Sequence, residues 1–463
     1  MWIFSPHLFS VLGFVLAIVL TVRLMREHRA PGSTMAWGLA MVLIPYIGVP
    51  LFLLFGGRKI RRLAEDKYPL YGGQGIRSEG DPYPNDTERI LAVCGAPPPT
   101  PGNSTELLVD GVVTFMRLLE ILENAKRTIH ITTFILGRDE VGRKIIKVLS
   151  RKAREGVEVR LLLDALGSLK TRGRFCQPLR DAGGKVGIFM PMLPLHRKWS
   201  ANLRNHRKVV IVDDKVGMIG GMNLAKEYMG PTHDPKRWHD LGMILHGPSV
   251  ADVAKIFASD WYFATNEPIL LAPPVAATAG RPISLQVVAS GPDVYTDPYY
   301  QALLTLISGA KERIWLVSPY FIPDDVLTKN LALAAKLGRD VRVLVPKVSN
   351  HYAADLARGS YIRELRQAGV KFYAYLEGMI HTKVLIVDNG QGVVGSANMD
   401  MRSLYLNYEI ALFIHDEKEV QRLAGTISDL LGHSEPMSAG KVAWKRLIKE
   451  WIEDASRVLA PLL

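Results

Sequence analysis

Two related α/β halves that build one shared site, preceded by a two-helix membrane hairpin, are the architecture to expect from this 463-residue chain. Three observations point to it. A sparse pattern occurs twice with the same internal gaps: His206-x-Lys208-x4-Asp213-x6-Gly220-Gly221-x-Asn223 and His381-x-Lys383-x4-Asp388-x6-Gly395-Ser396-x-Asn398. The stretch ahead of each copy alternates helix-like and strand-like periodicity. Two apolar runs of bilayer length open the chain.

From the N-terminus, Ile3 to Val22 is apolar apart from Ser, His and Thr, and Met35 to Phe55 is a second run of roughly 20 residues; each is long enough to span a bilayer. Trp2, Trp37 and Tyr46 suit the interfaces, and Pro45 and Pro50 imply a kinked second span. A cleaved signal peptide is disfavoured, because no Lys or Arg precedes the first run and a second run follows at once. Arg23, Arg26 and Arg29 lie between the runs, and Arg58, Lys59, Arg61 and Arg62 follow the second. Cations on both sides set orientation only weakly; a multi-pass inner-membrane protein with its catalytic part in the cytoplasm is the expectation. Residues 1–60 are thus the hairpin, and 61–104, rich in Pro, Gly, Asp and Tyr from Lys67 to Asn103, read as a linker.

The repeat extends beyond the motifs. Ala125 to Ile131 parallels Ala310 to Leu316, and Gly156 to Leu162 parallels Gly338 to Leu344. Each half reads helix, strand, helix, strand, helix, strand and then a motif hairpin, which gives helix-covered mixed sheets at 105–275 (motif 206–223) and 276–463 (motif 381–398). Before the first motif, His196-Arg197-Lys198-Trp199 mixes an aromatic with cations, a lip suited to lipid headgroups or a solvated basic loop. In the tail, Trp444, Leu447, Ile448, Trp451 and Ile452 recur with helical period and read as an amphipathic helix, packed or membrane-lying.

Composition narrows the partner. A formal net charge of +12 calls for an anionic one, lipid or nucleic acid, and the apolar N-terminus favours lipid. Two cysteines, Cys94 and Cys176, make no disulfide framework.

The motif spacing places chemistry locally. Val209 to Val212 and Val216 to Ile219 are apolar runs flanking the polar turn Asp213-Asp214-Lys215, hence a β-hairpin. Side chains at i and i+2 share a strand face, so His206 and Lys208 point together, and the return strand brings Asn223 beside them. His381, Lys383 and Asn398 gather in the same way. Asp213 and Asp388 complete the motifs of the catalytic set but fall at the turn ends, where they read as fold residues. Imidazole can attack phosphorus or protonate a leaving alkoxide near neutral pH. Lys ammonium and Asn amide groups would hold phosphoryl oxygens as charge develops. Each imidazole needs an acceptor on its other nitrogen; Asp240 and Glu409, on the strand after each hairpin, are the candidates. No Cys/His cluster suggests a metal, and no cofactor is implied.

These paired motifs resemble the phospholipase D superfamily. Asn205-His206-Arg207-Lys208, the run Asn398 to Ser403 leading into Asn407-Tyr408-Glu409, the terminal Ala460-Pro461-Leu462-Leu463 and the apolar double span together resemble bacterial cardiolipin synthases over nearly the whole chain. The resemblance implies two phospholipase D-type halves sharing one active site, and phosphatidyl transfer between two phosphatidylglycerols through a phosphohistidine. It also implies Asp240 and Glu409 as orienting carboxylates, Asn223, Asn398 and Ser396 as phosphate-binding, and His206 as nucleophile with His381 as acid/base. Gly221 departs from the serine many members carry there, which puts a hydroxyl contact at the first motif in doubt. The expected partners are phosphatidylglycerol and anionic membrane lipid, not nucleic acid. A phospholipase D-type hydrolase or headgroup-exchange transferase is the alternative, with a nuclease of the same fold behind it.

Overall fold

The computed structural model describes residues 4–25, 31–52, 67, 70–71, 83–191, 202–277, 283–294, 296–437, 453–454 and 456–457. Three helices come first: α1 (Phe4–Met25), α2 (Pro31–Leu43) and α3 (Pro45–Leu51). They enclose a small cluster of their own, with Ala17, Leu20, Leu24, Met41, Val49 and Phe52 buried together. The second expected span does not form one helix. Ile44 leaves helical geometry (φ −134°, ψ 63°) ahead of Pro45, because a proline disfavours helical geometry in the residue before it. Gly48 then approaches Ala40 so closely that a Cβ would lie 2.1 Å from its carbonyl oxygen. Side chains of α1 are described from Phe14 onward; among the described residues no helix is long and apolar enough to cross a membrane.

The stretch expected to be a linker is ordered at its far end. It contains α4 (Asp86–Val93), capped by Asn85, and the start of β1 (Thr100–Leu108). Pro101 and Gly102 hid this strand, since neither favours a strand interior. It forms because it is held from both sides, and its pairing shifts register between Thr100 and Asn103.

The first half continues α5 (Gly111–Glu123), β2 (Thr128–Thr133), α6 (Glu140–Arg154), β3 (Glu158–Asp164), α7 (Gln177–Asp181), β4 (Lys185–Phe189), β5 (Val209–Val212), β6 (Val216–Gly220), β7 (Gly242–His246) and α8 (Ser249–Thr265). The second runs β8 (Ile283–Ser290), α9 (Pro298–Gly309), β9 (Arg313–Val317), β10 (Phe321–Ile322), α10 (Asp325–Lys336), β11 (Asp340–Pro346), α11 (Tyr352–Gln367) and β12 (Lys371–Tyr375). It closes with β13 (Val384–Val387), β14 (Gln391–Gly395), β15 (Met399–Asp400), α12 (Met401–Tyr405), β16 (Glu409–Ile414), α13 (Glu417–Gly432) and β17 (Ser434–Pro436). The expected alternation is present in both halves. His196 to Trp199 and most of the tail at 443–459 lie outside the described residues.

Among the described residues one mixed sheet runs through both halves in the order β17-β12-β11-β9-β13-β14-β16-β8-β1-β7-β6-β5-β2-β3-β4, with β8 and β1 at the seam. In each half three strands are parallel, β2-β3-β4 and β9-β11-β12, and the motif hairpin pairs antiparallel to the first of them. Strand alternation explains the unbroken apolar runs. Val209 and Ile211 of β5, with Val384 and Ile386 of β13, enter a core common to both halves. Val210 and Val212 face the first half's outer helices, and Leu385 and Val387 those of the second.

Candidate active site

His206 and Lys208 immediately precede β5, and Asn223 follows β6; the pairing Val209↔Ile219 brings those ends together. In the second half Val384↔Val394 does the same for His381, Lys383 and Asn398. Because β5 is antiparallel to β2 and β13 to β9, both histidines lie at the C-terminal edge of the parallel strands.

The two halves clasp each other through backbone at this edge. His206 N donates to Tyr408 O at 2.9 Å and Tyr408 N to Arg204 O at 2.9 Å. Likewise His381 N donates to His239 O at 2.6 Å and His239 N to Met379 O at 2.9 Å. The segment leading to each histidine is therefore paired with the segment leading to the other half's carboxylate. In consequence the carboxylates are exchanged: His206 Nδ1 lies 2.9 Å from Glu409 Oε1, and His381 Nδ1 lies 2.6 Å from Asp240 Oδ2. Among the described residues, neither motif histidine is paired with a carboxylate of its own half.

The supports of the two carboxylates differ. Ser396 Oγ donates to Glu409 Oε2 at 2.5 Å, and Asn407 Nδ2 to Oε1 at 3.4 Å. Asp240 Oδ1 accepts from the Leu241 amide at 2.7 Å. Its carboxylate fills the place where a side chain on Gly221 would begin: a Cβ there would sit 2.3 Å from Asp240 Oδ1. The departure at Gly221 thus makes room for the shorter acid, while Ser396 is spent on the longer one.

Lys208 Nζ donates to His206 O at 2.6 Å. Lys383 Nζ reaches His381 O, lies 2.6 Å from His381 Nδ1 and stands 3.8 Å from Asp240 Oδ2. Burial disfavours charge on these bases. It lowers the pKa of Lys208 to about 7 and of Lys383 to about 8, against the pull of Glu409 and Asp240 respectively. Burial, then Lys383, depress His381 to about 3, and burial depresses His206 despite Glu409. Burial alone would raise Glu409, but His206 and Lys208 outweigh it and keep the carboxylate ionised. Both motif imidazoles are therefore biased toward the neutral form with Nδ1 against an acid, and Lys383 Nζ also lies 3.3 Å from Nε2 of His381.

The asparagines are placed beside them with different freedom. Asn223 Oδ1 accepts from Ile135 N at 3.0 Å and its Nδ2 donates to Tyr228 Oη at 3.0 Å. Asn398 Oδ1 is buried with no hydrogen-bond partner among the described residues. Asp213 and Asp388 are not brought here. At the opposite edge, each with positive φ (55° and 52°), Asp213 accepts from the amides of Lys126, Arg127 and Thr128, and Asp388 from those of Lys311, Glu312 and Arg313. Each staples a hairpin turn to the start of its neighbouring strand.

Several residues at the site carried no motif signal. Phe134 meets His206 edge-on with centroids 5.2 Å apart, while Tyr228 and Trp238 flank His381 at 5.1 and 5.4 Å. Arg207 points away from its neighbours His206 and Lys208, as strand alternation requires. Its Nε donates to Glu409 O at 2.9 Å, and its Nη atoms meet Asp260 at 2.6 Å and Asp293 at 3.3 Å. Lys67, from the stretch expected to be a linker, completes this buried network by pairing with both acids. Among the described residues no group of three or more His, Cys, Asp or Glu is placed to hold a metal ion.

Comparison with known proteins adds to this geometry. A family model described as "Cardiolipin synthase, PLD-like domain" matches residues 118–261 and 303–431, and one described as "Phospholipase_D-nuclease N-terminal" matches 15–57. The chain is 34% identical to the cardiolipin synthase of Geobacillus thermodenitrificans, covering 98% of this chain and 94% of the relative. It is also 34% identical to cardiolipin synthase 1 of Bacillus anthracis, covering 94% and 90%. Among solved structures, phosphatidylserine synthase from Haemophilus influenzae aligns with a TM-score of 0.62 at 15% identity, over 82% of this chain and all of that one, a likeness of fold.

Proposed function

The chain belongs to the cardiolipin synthase family of phospholipase D-like proteins, and from that premise we propose that it transfers a phosphatidyl group from one phosphatidylglycerol to another, releasing glycerol. The observation that carries the mechanism is the exchanged pairing of His206 with Glu409 and His381 with Asp240. Nε2 of His206 attacks phosphorus, and His381 delivers a proton to the departing glycerol oxygen, so a P–O bond breaks as a P–N bond forms. His381 then takes the proton from a hydroxyl of the second phosphatidylglycerol, whose oxygen displaces His206. Lys208, Lys383 and Asn398 face the phosphoryl oxygens; the arriving anion restores full charge to the lysines and raises the proton affinity of His381. Ser396 acts through Glu409.

Membrane attachment through the N-terminal helices belongs to the same reading, with the catalytic halves in the cytoplasm. It is supported by apolar side chains left exposed around their cluster: Phe14, Val19, Met35, Leu39, Leu43 and Ile47 are each 50–72% accessible. Such a surface calls for a lipid environment.

The test is purified protein in mixed micelles of phosphatidylglycerol, with and without chelator. Glycerol and cardiolipin should appear one for one, without added nucleotide and without loss on chelation. Phosphatidic acid as the main product would establish the hydrolase instead, and complete loss with chelator would remove the metal-free mechanism.

A further inference from the structure

The C-terminal edge of the parallel strands carries, besides both histidines, loops with exposed aliphatic and aromatic tips. After β3, Leu166 and Leu169 are 44% and 50% accessible; after β11, Val348 and Tyr352 are 71% and 76% accessible; after β12, Leu376 is 47% accessible. These loops come from both halves and are tied to the site. Asp164 accepts from the amides of Leu166 and Asn205, the latter adjacent to His206. Asn350 accepts from Tyr320 Oη at 2.6 Å, and the Tyr320 ring stands 6.4 Å from that of His381. Cations share the edge: Arg138, Lys170 and Lys226 are exposed on its loops.

We propose that this rim is a bilayer-docking surface, on which the tips of the loops after β3 and β11 enter an anionic phospholipid leaflet and bring the mouth of the site flush with it. The inference rests on the phosphatidyl-transfer reading and extends it to how the substrate is reached. Exposed apolar tips beside cations match a surface with acyl chains beneath anionic headgroups. One loop of the first half and two of the second, at the same edge, give contact on both sides of the catalytic pair. A phosphodiester lying in the headgroup plane then meets His206 and His381 without the lipid leaving the leaflet.

The experiment uses the full chain in vesicles containing spin-labelled lipid. A small environment-sensitive dye is attached to Leu169→Cys, to Tyr352→Cys and, as far-edge controls, to Lys215→Cys and Asn389→Cys. The native Cys94 and Cys176 are buried, so the introduced thiols are the ones that react. In phosphatidylglycerol vesicles the dyes at 169 and 352 should be quenched severalfold more than those at 215 and 389, and less strongly in phosphatidylcholine. Equal quenching at all four positions would overturn the proposal. So would energy transfer between dyes at 169 on different chains, which would mean that a second copy covers this face. Quenching is read without reference to product: protein that docks yet forms no cardiolipin sinks the functional reading alone, and an active protein with unquenched tips sinks only this one.

Discussion

At the residue scale, the exchanged pairs set a hierarchy of effects. His206→Ala and His381→Ala should each lower turnover by several powers of ten, as expected on losing a nucleophile or its acid/base partner. Asp240→Asn and Glu409→Gln should fall between these and a surface change, since an amide can hold the wrong tautomer. Kinetics on all four in cells free of endogenous synthase checks the order, and a histidine variant retaining more than roughly a tenth of wild-type activity contradicts a shared site. Gly221→Ser should be harmful although a serine, Ser396, holds the matching place in the second motif, because its Cβ meets the Asp240 carboxylate; a fully active Gly221→Ser would show that Asp240 need not sit there. The lysines also give a pH signature. Lys208 and Lys383 are charged below their values of about 7 and about 8 and lose the proton above them. Hence kcat/KM for phosphatidylglycerol should decline as pH rises past roughly 7, where Lys208 loses its charge, and more steeply past roughly 8, while the depressed histidines produce no acid limb near 6.5. A profile rising steadily to pH 10 would mean that neither lysine needs its charge.

At the element scale, two connections hold the motif hairpins in place. Asp213 gathers three amide donors at a turn, and its loss to Ala should cost about 1–3 kcal/mol by stranding polar groups. Thermal unfolding should register that loss while activity per folded molecule persists; a stable but dead Asp213→Ala would instead give the residue a chemical role. The second connection is Lys67. It balances Asp260 and Asp293 together with Arg207, so Lys67→Met leaves two buried carboxylates against one guanidinium. Breaking a buried pair in this way costs about 3–5 kcal/mol. Because Arg207 also holds the Glu409 carbonyl, activity should drop along with the melting temperature. Wild-type stability in Lys67→Met would place Lys67 outside the network.

At the scale of the whole molecule, one chain supplies both histidines and both carboxylates. Co-reconstituting His206→Ala with His381→Ala chains should therefore restore nothing above the single variants; recovered cardiolipin synthesis would mean a site assembled between chains. The helix–strand alternation, both motif hairpins and the placing of His, Lys and Asn at one end of each were legible in the sequence. They depend on local periodicity and on residues within about one hairpin of each other. The turn role of Asp213 and Asp388 was legible for the same reason. The strand β1 was not, since Pro101 and Gly102 speak against it locally and only its neighbours hold it. The break at Ile44–Pro45 was anticipated as a kink, but its sharpness follows from how α3 packs on α2 through Gly48.

The sequence by itself determined that there are two halves of like pattern and which side chains each gathers at the end of its motif hairpin, because duplication and strand period act over short spans. Only the tertiary structure decided which acid serves which imidazole, across 203 residues for His206 and 141 for His381. It also decided that Ser396 supports Glu409, that Asn223 is held by Tyr228, and that Lys67 is buried beneath the motif. Those are matters of backbone pairing between segments far apart in the chain, and side-chain periodicity carries no record of which distant segments meet.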